Sequence, residues 1–166
     1  MRMKEIIALL KKMKGEEKVP EFKLWNDDGC KLRHTPDQSA DLVFTCPPYW
    51  RAERYEPVPG QLSEMTYKEF LDMIRENARN VWRVLKWNKY AVYVVGDIRY
   101  EGKFYPLHVE FINIFTEEGF ELWDIVINVL RSPTAWMAVG GDVKKGYTHK
   151  IHEYILVFKK VRRRKV

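Results

Sequence analysis

Asp41-Leu42-Val43-Phe44-Thr45-Cys46-Pro47-Pro48-Tyr49-Trp50 is the stretch on which the fold turns. Four apolar or β-branched residues, Leu42 to Thr45, read as a short buried strand. Pro47 stops it, because proline has no N–H to give to a ladder. The second proline holds the exit stiff and extended. Tyr49 and Trp50 are thereby presented at the carboxyl end of a strand, which is where open α/β sheets bind ligands. A rigid turn that aims carbonyls and an aromatic face at one point suits a flat, polar-edged substrate such as a nucleobase.

Working outward, Phe22 to Trp25 reads as a strand that runs into the acidic turn Asn26-Asp27-Asp28-Gly29. Upstream, Met3, Ile6, Ile7, Leu10 and Met13 have helical spacing over Met3 to Lys14, and Gly15 ends that helix. Downstream, residues 50–65 have no period and contain Pro57, Pro59 and Gly60, so they form a loop placed to face a substrate. Thr66 and Glu69 form a capping box. The helix it opens carries Phe70, Leu71, Ile74, Ala78, Val81, Trp82 and Leu85 on one stripe and should run to about Lys86. Tyr90 to Val95 is a nearly continuous apolar strand of the kind covered on both faces, ended by Gly96-Asp97. A second helix is predicted over Pro106 to Glu118, with Gly119 at its C-cap, followed by a strand over Phe120 to Leu130. A loop over Ser132 to Tyr147, with Gly140-Gly141 and Gly146, leads to a last strand, Glu153 to Lys159, antiparallel to the one before. Strands alternating with helices imply an α/β layer fold.

A chain of 166 residues is one domain by size. We take residues 1–160 as that domain and 161–166 as a basic C-terminal tail. The net charge is +6, and Lys159, Lys160, Arg162, Arg163, Arg164 and Lys165 account for all of it. A basic end suits phosphate binding, or is a solvated terminus. Cys30 and Cys46 have no metal spacing and read as reduced thiols of a cytosolic protein. His34, His108, His149 and His152 lack zinc-ligand partners, so no metal is expected, and structural roles are expected for His149 and His152. No apolar run reaches the ~20 residues of a membrane helix, and Ile6 to Leu10 is too short for a signal peptide. A cytoplasmic protein without a membrane partner is the expectation.

Thr45-Cys46-Pro47-Pro48-Tyr49-Trp50 resembles the Asp/Asn/Ser-Pro-Pro-aromatic signature of the DNA amino-methyltransferases. These enzymes move a methyl group from S-adenosylmethionine to the exocyclic nitrogen of adenine or cytosine. The resemblance extends to Leu24 to Asp28, Ser39 to Phe44, Tyr93 to Arg99 and His152 to Phe158, in order and spacing, and covers roughly residues 22–160. It implies a Rossmann-like methyltransferase fold, α/β and three-layer with a mostly parallel sheet, reduced in size. The family's Phe-x-Gly-x-Gly-type cofactor loop does not occur in these 166 residues. The segments present correspond to the second half of the family's sheet. The strand Leu42 to Thr45 would then leave an unpaired edge, which invites another chain. The expected partners are DNA and either further copies of the chain or a subunit that supplies the missing half-sheet.

The resemblance also implies roles. In the family, the side chain at the position of Cys46 and the carbonyl at that of Pro47 accept hydrogen bonds from the target amino group. Pro48 stiffens the turn, and the aromatic at Tyr49 stacks on the extruded base. Cys46 departs from the family, since a thiol is a weak acceptor. The Pro-Cys order of the cytosine-carbon-5 enzymes, whose cysteine attacks covalently, is reversed here. Cofactor contacts are expected from Asp28, Thr45, Cys46, Gly96 and Asp97. Asp28 could equally close an Asx-turn, and Gly96-Asp97 an ordinary strand-end turn. Trp50, Arg51, Arg54, Arg162, Arg163 and Arg164 are the candidates for base or phosphate contact. The rival readings are a non-catalytic nucleic-acid-binding or regulatory subunit, and methylation of RNA or protein through the same turn.

Overall fold

The computed structural model describes residues 22–52, 60–130, 145–148 and 151–162. The helix expected over Met3 to Lys14 lies outside them, as do Arg54, Pro57, Pro59, Gly140-Gly141, His149, Arg163 and Arg164.

Local signals set the two long helices. Thr66 caps α1, Tyr67–Val84: its Oγ1 accepts from the Glu69 amide at 3.3 Å, and the Glu69 carboxylate accepts from the Thr66 amide at 2.9 Å. Both donors would otherwise be orphaned at the helix start. The stripe Phe70, Ile74, Ala78 and Val81 is fully buried. The backbone turns extended at Leu85, just short of the expected end at Lys86, and β2, Leu85–Val95, begins there. α2, Leu107–Glu117, follows Pro106, and Gly119 leaves it at φ +105.

Four strands form the main sheet in the order β1 (Ala40–Thr45), β2, β6 (His152–Lys159), β5 (Glu121–Val129). β1 and β2 are parallel, with Leu42 opposite Tyr90 and Thr45 opposite Tyr93. β6 is antiparallel to both β2 and β5, so β1, β2 and β5 share one direction and β6 alone opposes them. The expected α/β fold with a central sheet is therefore present, and the sheet is mixed: β1–β2 is its parallel ladder, and the two ladders of β6 are antiparallel.

Ala91, Tyr93 and Val95 of β2 and Leu156 and Phe158 of β6 point to one face, where Phe70, Ile74, Phe111 and Phe115 of the two helices meet them. The helices also touch each other. Among the described residues the other face carries no helix, and that corrects two expectations. Leu42 to Thr45 is not a buried strand: Leu42 and Phe44 are 58% and 66% exposed, because β1 is an edge strand with one face bare. Tyr90 to Val95 is fully buried only at alternate residues, with Val92 and Val94 half-covered.

Phe22 to Trp25 is not a strand either. It has no ladder partner, and Phe22, Leu24 and Trp25 are exposed, with Trp25 stacked on His34 at 5.5 Å between ring centres. One element went unforeseen. β3, Ile98–Tyr100, and β4, Lys103–Tyr105, form a hairpin around Glu101 and Gly102, whose φ values of +49 and +80 are those of a two-residue primed turn.

The charge at the end of the chain is also spent differently. Lys160 is buried, and its ammonium donates to the carbonyls of Trp82 and, at 2.7 Å, Leu85. It thereby satisfies acceptors that the end of α1 leaves open. Burial lowers its pKa below the usual lysine value. The Lys159 ammonium lies 3.7 Å from the centre of the Trp123 ring. Neither lysine is free tail charge.

Lys160→Met keeps most of the stem but leaves both carbonyls without their donor. We expect a loss of about 1–3 kcal/mol, read as a lower urea midpoint at unchanged slope.

Candidate active site

The parallel pairing of β1 with β2 brings the residues after Thr45 beside the residues after Val95. Cys46, Pro47 and Pro48 leave the strand at its carboxyl end, and the next two aromatics part company. Tyr49 turns toward the bare side of the sheet. Its hydroxyl donates to the Glu153 carboxylate at 2.9 Å and lies 3.5 Å from the exposed Cys46 sulfur. The second oxygen of Glu153 accepts from the Asn128 amide at 3.2 Å. The Tyr49 ring rests on Gly96: a Cβ at that position would stand 3.0 Å from the ring. Burial, and then the Cys46 and Glu153 contacts, push the phenol well above the usual tyrosine range, so it is a hydrogen-bond donor at any physiological pH.

Trp50 goes the other way. It is 5% exposed, packed edge-on among Tyr67, Tyr100 and Tyr105 at 4.7–5.3 Å, with its indole N–H donating to the Met65 carbonyl at 2.8 Å. The expectation of a base or phosphate contact for Trp50 therefore fails: the ring is a core residue that anchors the turn. Arg51, at φ +57, pairs with Glu64 at 3.3 Å and is half-buried against Tyr100. Arg162 is exposed, its guanidinium 5.6 Å from the centre of the Trp87 ring.

A cavity of about 730 Å³ opens beside the signature. Asp28, Thr45, Cys46, Pro47 and Pro48 line it together. Asp28 closes an Asx-turn, accepting from the Cys30 amide at 2.9 Å, and pairs with Lys31 at 3.5 Å. The turn is tied to α1, since the side-chain amides of Asn77 and Asn80 donate to the carbonyls of Gly29 and Cys30. Below it, the buried Tyr93 phenol donates to Asn77 at 2.5 Å. Gln61, also on the wall, has a buried Oε1 with no hydrogen-bond partner. Burial raises the Cys30 thiol to about 11, so it stays neutral on this wall.

Gly96 and Asp97 do not line this cavity. Gly96 gives room to the Tyr49 ring. Asp97 is buried and accepts from both the amide and, at 2.7 Å, the Nδ1 of His108, whose ring stacks on Tyr154 at 3.9 Å. Sequence reading missed Gln61, Asn77 and Tyr93 as cavity residues, because each reaches the wall through the fold and none carries a motif. Among the described residues, no cluster of His, Cys, Asp and Glu is placed to hold a metal ion, and no helix is long and apolar enough to cross a membrane.

With this geometry in hand, comparison with known proteins is direct. Residues 40–165 match the DNA methylase family of N6/N4 type. The type II methyltransferase M.MthZI of Methanothermobacter thermautotrophicus is 27% identical over 157 residues, which span 83% of this chain and 44% of that protein. A Thermus thermophilus protein provisionally assigned as a DNA modification methylase, solved with S-adenosyl-L-methionine, superposes with a TM-score of 0.59 at 28% identity, over 84% of this chain and 55% of its own. The cytosine-N4-specific PvuII DNA methyltransferase shares the fold, with a TM-score of 0.62 at 21% identity, over 82% and 48%. The chain thus spans about half the length of the relatives it matches.

The packing of Trp50 has a measurable cost. Trp50→Ala should destabilise the fold by about 3–5 kcal/mol, seen as a large drop in denaturation midpoint without any nucleic acid present. A loss confined to DNA binding, at parental stability, would contradict the core placement.

Proposed function

The chain belongs to the DNA methylase family, and on that footing we propose that it carries the target-base half of a site that methylates the exocyclic amino group of adenine or cytosine in DNA. One observation carries the reading: Cys46, Pro47 and Pro48 of the signature meet Asp28 at one cavity, at the carboxyl end of β1, and Tyr49 follows directly on that turn.

S-adenosylmethionine, when bound, supplies the methyl group on a positively charged sulfonium. The cavity fits such a molecule in kind. It has room, a carboxylate at Asp28, and a buried acceptor at Gln61 that lacks a donor. Asp28, Thr45 and Cys46 would hold it. The rest of the task falls to the turn. An exocyclic amine is a poor nucleophile because its lone pair is conjugated with the ring. Acceptors placed on both of its N–H groups push that lone pair out of conjugation, and holding the nitrogen in line supplies much of the remaining rate. The Pro47 carbonyl and the exposed Cys46 thiol are the acceptors offered. A thiol accepts weakly, so the carbonyl bears more of this role. Tyr49 stacks on the extruded base. Arg51, Arg54 and the tail residues Arg162, Arg163 and Arg164 are the basic groups available for phosphate.

The same reading requires a second polypeptide segment, because the glycine-rich cofactor loop is not among these 166 residues. We assign it to the free edge of β1 and the bare sheet face, where Leu42, Phe44 and Trp123 are more than half exposed. A segment that carries that loop and pairs with β1 is the occupant that also completes the site.

Two outcomes are expected. In the complete methyl-transferring assembly, Tyr49→Ala should abolish transfer of labelled methyl to mixed-sequence DNA while the protein stays folded at the assay temperature, since base stacking is worth roughly 1–3 kcal/mol and misalignment costs further rate. DNA binding by the parent without transfer would favour the regulatory-subunit reading, and transfer to RNA alone would move the substrate. Phe44→Asp, at an exposed position, should change the isolated chain's stability by at most about 0.5 kcal/mol yet abolish its assembly, read by light scattering at micromolar concentration. A parent that is monodisperse at the mass of one chain, and that no polypeptide bearing the glycine loop shifts, would remove the docking surface.

A further inference from the structure

Resting on that reading, we propose that Glu153, braced by Asn128, is a positioning residue that sets the angle of the Tyr49 ring, with Gly96 as the floor of the same cradle. A tyrosine that stacks on a base needs only its ring, yet here the hydroxyl is committed. It donates to one oxygen of Glu153 at 2.9 Å while Asn128 donates to the other at 3.2 Å. The three supports come from three places in the sheet: Glu153 from β6, Asn128 from β5, and Gly96 from the end of β2. Asn128 and Glu153 stand opposite each other in the β5–β6 register, and Tyr154, the next residue, stands opposite Val95. The carboxylate is therefore carried by two hydrogen-bonded ladders to the point where β1 releases the signature.

Each support limits one motion. Gly96 has no side chain, and a Cβ in its place would press the ring at 3.0 Å, so the ring lies directly on the backbone. The backbone at Gly96 opposes rotation of the ring about its own axis, and the bond to Glu153 stops it from swinging about the Cα–Cβ bond and from lifting. A carboxylate is the strong acceptor for this task, and Asn128 occupies the oxygen that could otherwise turn toward water. This contact gives a role to the acidic residue that directly precedes the apolar run Tyr154-Ile155-Leu156-Val157-Phe158 of β6. Aligning an acceptor base to within an ångström governs rate more than affinity, so the cradle acts on the transfer step.

The test is a double-mutant cycle of Tyr49→Phe and Glu153→Ala, with Glu153→Gln as the conservative variant, on the complete methyl-transferring assembly. Single-turnover transfer should fall roughly 10–100-fold in Glu153→Ala and by a similar factor in Tyr49→Phe. The double variant should be no slower than the slower single, because both remove the same bond. Glu153→Gln keeps an acceptor oxygen for the hydroxyl and should recover most of the rate, with KM near parental throughout. Losses that multiply in the double variant would mean that Glu153 acts by another route, and parental rates in Glu153→Ala would mean that it does not act; either overturns the proposal. A parent that transfers no methyl would instead sink the proposed function. The contact is then read from denaturation midpoints of the same four proteins: non-additive shifts support the cradle, and additive ones overturn it.

Discussion

The parallel pairing of β1 with β2 is the constraint that the candidate site depends on. A parallel pair puts the carboxyl ends of both strands at the same sheet edge. Thr45 therefore stands opposite Tyr93, and the residues beyond Thr45 meet those beyond Val95. From that one register come the seat of Tyr49 on Gly96, the wall that Cys46 and Pro47 share with the Asp28 turn, and the buried Tyr93–Asn77 bond beneath it. An antiparallel pair would send the two ends to opposite edges and dissolve the site. Trp50 locks the arrangement from the other side, because burying its ring fixes where the turn must end.

The same sheet is well supported on one face and unsupported on the other. Phe111, Phe115, Tyr93 and Phe158 stack and tilt against one another over the helix-covered face. On the reverse, Leu42 and Phe44 remain in water. Fully burying such side chains is worth about 1.5–3 kcal/mol each, so the bare face is a store of unspent association energy. It adjoins the turn that would handle the base, and covering it and completing the site are therefore coupled.

Much of this was legible because it is local. The Thr66–Glu69 capping box, the α1 stripe, the apolar run of β2 and the proline turn each announce themselves within a few residues, and each formed. Failures came where a partner decides. Phe22 to Trp25 has a strand's composition, but a strand exists only by bonding to another. The hairpin around Glu101-Gly102 carries only a weak two-residue turn signal. At the site, Asp28, Thr45 and Cys46 are legible from the family resemblance. Glu153 is not, since its meaning lies in a hydroxyl 104 residues away. Trp50 and Lys160 mislead for a common reason: an aromatic after a signature and a lysine near a basic end look exposed until the packing around them is known.

Lys160 also separates two properties of the chain in space. Its contacts close the start of β2, at Trp82 and Leu85, whereas Tyr49 rests just past the strand's other end. The register sets Ala40 beside Leu85 and Thr45 beside Tyr93, so Leu85 to Val95 spans about seven residue steps along the sheet, which at about 3.3 Å per residue sets the two roughly 20 Å apart. Substitutions that far apart, with no shared partner, combine additively. Robustness can therefore be tuned at one pole of this sheet while chemistry is altered at the other, and a lineage or an engineer can accumulate stabilising changes near Lys160 in advance of costly experiments at the turn.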